Sequence, residues 1–335
     1  MPSTLPGVPD IDDQLASGIV ERLDTIEHRL RDSVANSDDM MRWTARHLMD
    51  AGGKRVRPML VLLAASLGDV DAEGVEDAAV LVELTHLASL YHDDVMDSAP
   101  TRRGTDSAHA LWGNNVAILT GDFLFARASG LSARIGADAV RLHAQTFERL
   151  CLGQLHETVG PREQDDPFEH YISVLSDKTA SLLSLAGHLG ATLAGAPAGS
   201  GEIMRDYGEK VGVAFQLADD VLDLESDAAT SGKTPGIDLR EGVPTMPTLL
   251  VRRRAAATQD ARSLEIVRRL DSDLSDDRSL GELVALLRED PALEETRTLA
   301  QRTADDAVAI LDQLPEGSVR DALQTFTRTL VERRS

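Results

Sequence analysis

Apolar residues recur along nearly every patterned stretch of this chain at steps of three and four, the period of one helix face. Leu23, Ile26, Leu30 and Val34 mark a first helix. Ser37-Asp38-Asp39 reads as the N-cap of a second, running to about Met49. Ala51-Gly52-Gly53 breaks the pattern, and Pro58 then fits the first turn of a helix carrying the apolar run Met59 to Leu63. Val80, Leu84, Leu87, Tyr91 and Val95 predict a long helix over about 75–97, closed by Ser98-Ala99-Pro100. Further helices are predicted over 107–131, 137–158, 167–194 and 202–225, then a loop rich in Gly, Pro and Thr from Ser226 to Pro244, then helix to the C-terminus. No segment reads convincingly as a strand. The expectation is all-α: one large helical domain over 1–335, with 1–10 a flexible N-terminal tail.

Composition narrows the function. The chain has 335 residues, 42% of them hydrophobic, enough for a sizeable core. It carries 34 Lys and Arg against 56 Asp and Glu, a net charge of −22. Such a surface repels nucleic acid and anionic headgroups, and aromatic residues at 3% are too few for a base-stacking platform. A polyanionic substrate would need divalent cations to cancel the repulsion. Cys151 is the single cysteine, so no intrachain disulfide can form, which suits a reducing cytosol. The N-terminus lacks the basic and apolar regions of a secretory signal. No uninterrupted apolar run approaches the ~20 residues of a membrane span. These features predict a soluble, cytoplasmic protein.

The chemistry concentrates in two matched clusters. Asp93-Asp94-Val95-Met96-Asp97 and Asp219-Asp220-Val221-Leu222-Asp223 each end a predicted helix. Residues four apart share a helix face, so Asp93 points with Asp97, and Asp219 with Asp223. Like charges at that spacing destabilise a helix by ~0.2–0.5 kcal/mol, and carboxylates at a helix C-terminus oppose its dipole. Mg²⁺, held by one or two carboxylates and completed by water and phosphate oxygens, explains both departures. A solvated acidic face is the plain alternative. The other acidic runs, such as Asp10 to Asp13 and Asp271 to Asp277, do not repeat this spacing. Glu83-Leu84-Thr85-His86 also has the Glu-x-x-His step of di-iron bundles, but no second copy accompanies it. Cations gather in three loops: Gly52-Gly53-Lys54-Arg55-Val56-Arg57, Arg102-Arg103-Gly104, and Lys233 before Thr234-Pro235-Gly236. Glycines let backbone approach a ligand and Arg forks match phosphate oxygens. Two acidic clusters with three cationic loops describe a site for two diphosphates.

In these residues the chain closely resembles the trans-isoprenyl (polyprenyl) diphosphate synthase family. The resemblance rests on GGKRVRP at 52–58, LTHLASLYHDDVMD at 84–97, RRG at 102–104, GNNVAILTGDFLFA at 113–126, DKTASLL at 177–183, FQLADDVLD at 215–223 and GKTPGIDL at 232–239. It implies an all-α bundle of isoprenoid synthase type, with the two clusters facing across a central cavity. It implies three Mg²⁺ ions on the diphosphate of an allylic substrate through Asp93, Asp97 and Asp219, with Asp94, Asp220 and Asp223 in support. Lys54, Arg57, His86 and Arg103 would hold isopentenyl diphosphate. Arg102, Lys178 and Lys233 would contact the allylic diphosphate, and Thr179 and Gln216 would lie near the reacting carbons. A homodimer is expected by the same analogy. Asn115, Val243 and the stretch Gly153-Gln154-Leu155-His156-Glu157 depart from the family's pattern, leaving fewer cations near the second cluster.

In this reading the growing chain runs past the helix bearing Asp93. One turn back lie Ala88 and Ser89, both small, where relatives with short products often place aromatics. At ~1.5 Å rise per residue each four-residue step adds ~6 Å, about one isoprene unit, and Thr85 and Leu81 come next. The expectation is a long-chain synthase, C30 to C50, similar to actinobacterial synthases implicated in menaquinone side chains. The alternatives are a short-chain farnesyl or geranylgeranyl synthase, a class I terpene cyclase, which usually replaces the second cluster, or a non-catalytic subunit, which typically lacks both.

Overall fold

The computed structural model describes residues 11–35, 37–226 and 235–332. The expected flexible tail over 1–10 lies outside them. The described residues are all-α, as the periodicity predicts, apart from one short hairpin.

Backbone contacts divide it into two compact units. The first comprises Met1–Glu148, Leu182–Gly208 and Ile310–Phe326. In it, α1 (Asp13–Ala35) buries Ile26, Leu30 and Val34. Asp38 caps α2 (Asp39–Asp50), its carboxylate accepting from the amides of Met40 and Met41. In α3 (Val56–Ala65) every residue from Pro58 onward is buried, so it is a core helix rather than an amphipathic one. α4 (Val75–Met96) runs beside α3 and carries the first Asp cluster into its C-terminal turn, with Asp97 as C-cap.

The structure departs from the sequence pattern after this helix. The loop at 101–106 contains a two-residue ladder, β1 (Thr101–Arg102) against β2 (Thr105–Asp106). The predicted helix 107–131 is broken at Gly113, whose φ of 83° ends α5 (Ala108–Trp112). α6 (Asn114–Ile135) then continues and packs along α4. By length and composition α6 is also long and apolar enough to cross a membrane, with only 33% of its most apolar window buried. Asp122 and Arg127 interrupt its apolar run, so the expectation that no uninterrupted apolar run reaches membrane length stands beside this helix.

The second unit comprises Arg149–Ser181, Glu209–Ala309 and Thr327–Ser335. α7 (Ala137–Val159) supplies its residues from Arg149 onward. The predicted helix 167–194 is interrupted. α8 (Pro167–Leu175) leads into a π-helical turn over Ser176–Ala180, and α9 (Ser181–Leu193) follows. A π turn inserts one extra residue, which a 3.6-residue period cannot reveal. α10 (Ser200–Glu225) carries the second cluster near its end. Part of the predicted loop 226–244 is also helical, as α11 (Ile237–Glu241). α12 (Met246–Thr258) follows, its first turn closed by a capping box between Thr245 and Thr248. Tyr171, Val213, Leu217, Val221, Leu239, Met246 and Leu250 meet in this unit's core.

Candidate active site

Each Asp cluster divides in the same way. On α4, Asp94 is fully buried, while Asp93 is half-buried and Asp97 exposed. Asp94 Oδ1 accepts a hydrogen bond from Arg102 Nε at 2.6 Å. Its Oδ2 is enclosed and has no hydrogen-bond partner among the described residues. Burial pushes the Asp94 carboxyl upward, and the Arg102 guanidinium opposes the shift. On α10, Asp220 is 2% exposed while Asp219 and Asp223 are half-buried. Asp220 Oδ2 accepts from the Tyr171 hydroxyl at 2.6 Å and the Met246 amide at 2.9 Å. Burial pushes its carboxyl up to about 8, with those two hydrogen bonds pulling the other way. The helix geometry explains the partition. Residues i and i+4 share a face, whereas i+1 lies about 100° round toward the core.

These carboxylates suit a hard divalent cation. Among the described residues no group of three or more His, Cys, Asp or Glu could hold a metal by itself. Mg²⁺ sites need none, since one or two carboxylates suffice when water and substrate phosphate complete the shell. The unpartnered Asp94 Oδ2 behind half-exposed neighbours is in keeping with that donor set.

Arg55, Arg57 and Arg103 gather around Glu83, itself 2% exposed. Arg55 Nη1 donates to Glu83 at 2.8 Å, and its other nitrogens reach Glu27 and the Met49 carbonyl. Arg103 lies 3.9 Å from Glu83 and donates to the carbonyls of Leu48 and Gly52. Gly53 makes room for it, because a Cβ there would stand 3.0 Å from the Arg103 guanidinium carbon and the local φ is +152°. Arg57 Nε is buried without a hydrogen-bond partner among the described residues. Burial lowers Arg57 to about 10, with Arg103 adding to the fall and Glu83 resisting it. His86 is held well below its usual range by burial and then by the surrounding arginines, so its ring is neutral at neutral pH. Lys54 is exposed beside this group. Glu83 is thus the counter-ion of an arginine cluster, which disposes of the di-iron reading.

In the second unit, Lys178 and Thr179 sit within the π turn. Lys178 Nζ pairs with Glu157, and Thr179 Oγ1 donates to Gln216 Oε1 at 3.2 Å. Lys233 lies outside the described residues. On α4, Ala88 is fully buried and Ser89 half-buried, its hydroxyl donating to the His86 carbonyl. Thr85 is buried, bonded to the Leu81 carbonyl at 2.8 Å and lying 3.0 Å from His143 Nε2.

Sequence reasoning missed Tyr171, Glu157 and Arg149, whose guanidinium pairs with Asp177 in the π turn. Glu157 lies in the stretch noted as a departure, so a signal existed. For Tyr171 and Arg149 there was none, since each acts through residues distant in sequence. Glu83 was noticed for the wrong chemistry.

Residues 38–284 match the polyprenyl synthetase family model, a span that includes both clusters. The chain is 40% identical to the nonaprenyl diphosphate synthase of Mycobacterium tuberculosis over 99% of its own length and 98% of that protein's. It resembles the crystal structure of geranylgeranyl pyrophosphate synthase from Corynebacterium glutamicum complexed with calcium and isoprenyl diphosphate, with a TM-score of 0.84 at 40% identity, covering 96% of this chain and 98% of the other. A polyprenyl synthase from Caulobacter crescentus, likewise complexed with calcium and isoprenyl diphosphate, gives a TM-score of 0.86 at 33% identity over 96% and 98%. With both clusters inside the matched span and near-complete coverage by relatives, the chain belongs to the polyprenyl synthetase family, whose members are prenyltransferases.

Proposed function

We propose that this chain, acting as one synthase domain, is a Mg²⁺-dependent prenyltransferase. It condenses isopentenyl diphosphate with an allylic diphosphate, head to tail and trans, to give a long-chain polyprenyl diphosphate. The observation that carries this reading is the shared partition of the two clusters. In each, the second aspartate is buried and tied by protein hydrogen bonds, and the first and fifth stay at least partly exposed on one face.

Asp93, Asp97 and Asp219 would hold the Mg²⁺ that engages the allylic diphosphate. Asp94 would support the site by holding Arg102, Asp220 by anchoring its helix to Tyr171 and Met246, and Asp223 would assist. When bound, Mg²⁺, three ions by analogy with the family, neutralises the charge of the departing diphosphate. Arg102, Lys178 and Lys233 supply further positive charge to that leaving group. Lys54, Arg57, Arg103 and the neutral His86 hold isopentenyl diphosphate; the unpartnered Arg57 Nε supports the assignment. The allylic C–O bond breaks, the isopentenyl double bond attacks the resulting cation, and a proton leaves, the released diphosphate accepting it. Thr179 and Gln216, hydrogen-bonded to each other, flank the reacting carbons.

The small Ala88 and Ser89, and relatives such as the nonaprenyl diphosphate synthase, support a long product. One observation favours a shorter one. Thr85 of α4, eight residues and about 12 Å along the helix before Asp93, forms a buried polar contact with His143 of α7. A homodimer is supported by α6, which leaves Ile118, Leu119, Ala126, Ser129, Gly130 and Ala133 exposed on an apolar helix. A second copy would cover this mostly apolar face, which also exposes Asp122. The test is incubation with isopentenyl diphosphate, Mg²⁺ and each allylic primer in turn, followed by chain-length analysis. Products of C30 or longer are expected. C15 or C20 products would support the shorter reading, and no elongation with any primer would overturn the function.

A further inference from the structure

The π turn at Ser176–Ala180 is held by a network that the reaction scheme does not use. Its register is visible in the backbone, where the Ser181 amide reaches the Ser176 carbonyl five residues earlier. Arg149, half-buried on α7, grips the turn at several points. Its Nε donates to Asp177 at 2.7 Å and its Nη2 to the Ser176 hydroxyl at 2.8 Å. The same guanidinium makes a two-pronged pair with Glu209 on α10, at 3.0 and 2.6 Å. The Ser176 hydroxyl in turn donates to Glu209, closing the ring. Backbone fits tightly on both sides. A Cβ on Gly153 would stand 2.7 Å from the Lys178 nitrogen, and one on Gly212 would stand 2.4 Å from Ala180 Cα.

A π turn has poorer local geometry than an α turn and persists where its surroundings demand it. Slipping by the one extra residue would rotate the preceding side chains by about 100°. Lys178 would then leave Glu157, and Thr179 would leave Gln216. Guanidinium–carboxylate forks are geometrically strict as well as strong, so the Arg149 ring suits the task of fixing register.

We propose that Arg149, braced by Glu209, is a positioning residue that locks the Ser176–Ala180 π turn in the register presenting Lys178 and Thr179 to the allylic substrate. The inference rests on the functional reading above, but its structural half can be tested separately. Misplacing catalytic groups by about 1 Å can lower a rate about 100-fold. Arg149→Met should therefore lower kcat by roughly 30- to 100-fold while leaving KM for isopentenyl diphosphate within about twofold. Glu209→Gln should give a smaller loss, and Arg149→Lys should fall between, since an ammonium keeps one contact but not the fork. The losses from Arg149→Met and Lys178→Ala should combine to well short of their product, because Lys178 is one of the two groups through which Arg149 acts.

Hydrogen exchange gives a readout independent of activity. Amides over 176–181 should exchange faster in Arg149→Met than in the wild-type chain. A variant that melts earlier yet keeps kcat within about threefold, fully multiplicative losses in the double variant, or unchanged exchange over 176–181 would each overturn the proposal. If Arg149→Met does not fold, Arg149→Lys and Glu209→Gln carry the same comparisons. If the wild-type chain elongates no primer, the prenyltransferase reading and the proposal's catalytic half fall together, while the exchange data still decide whether Arg149 locks the turn.

Discussion

Asp220 should make the metal-free protein less stable as the pH rises through neutrality, and replacing it with Asn should remove that part of the fall. Its carboxyl is raised from 3.8 to about 8 by burial, despite the hydrogen bonds from Tyr171 and Met246. Between pH 5 and 7 the folded protein therefore keeps a proton on Asp220 that the unfolded chain has released. Stability falls with pH wherever the folded state binds more protons. One proton over two pH units amounts to about 3 kcal/mol. At about 2.1 cal/mol/K of unfolding entropy per residue, a chain of this length loses about 4 °C in Tm. Asp220→Asn mimics the protonated acid, so it should match the wild-type protein at pH 5. At pH 7 it should be the more stable by about that margin, even though it alters a carboxylate of the candidate site. The assay is a pair of thermal melts in EDTA at each half-unit from pH 5 to 7.5, read as the difference between the two proteins so that other titrations cancel. A difference constant to within about 1 °C across that range would refute the reasoning.

Three further outcomes are expected. Glu83→Gln should destabilise the chain by about 3–5 kcal/mol, because it strips the counter-ion from a buried arginine cluster; denaturant unfolding measures it. Gly53→Ala should raise KM for isopentenyl diphosphate while sparing kcat, since a Cβ would press on the Arg103 guanidinium; initial rates at varied substrate check the split. Ala88→Phe and Ser89→Phe should each shorten the product, as read by radiolabelled chain-length analysis, and unchanged length in both would remove α4 from the chain-length wall.

Much of the architecture could be read without coordinates. The helical period placed α1 to α4 closely, and Asp38 caps α2 where the Ser-Asp-Asp signal put it. The motif spacing singled out both Asp clusters and the loop cations. What escaped was mostly what departs from the 3.6 period. Gly113 splits one predicted helix and the π turn interrupts another, and neither shifts the apolar pattern enough to show. The apolar character of α6 was diluted by two charges.

Sequence alone determined the chemistry on offer. Paired aspartates at i and i+4, arginine-rich glycine loops and a −22 charge that calls for cations follow from residue type and local spacing. Only the tertiary structure decided which aspartates face outward and which are buried supports. That choice depends on partners far along the chain: Arg102 for Asp94, Tyr171 and Met246 for Asp220, Glu83 for the arginines, and Arg149 and Glu209 for the turn bearing Lys178. Burial and hydrogen bonding set a group's charge and direction, and both are properties of packing that no local pattern encodes.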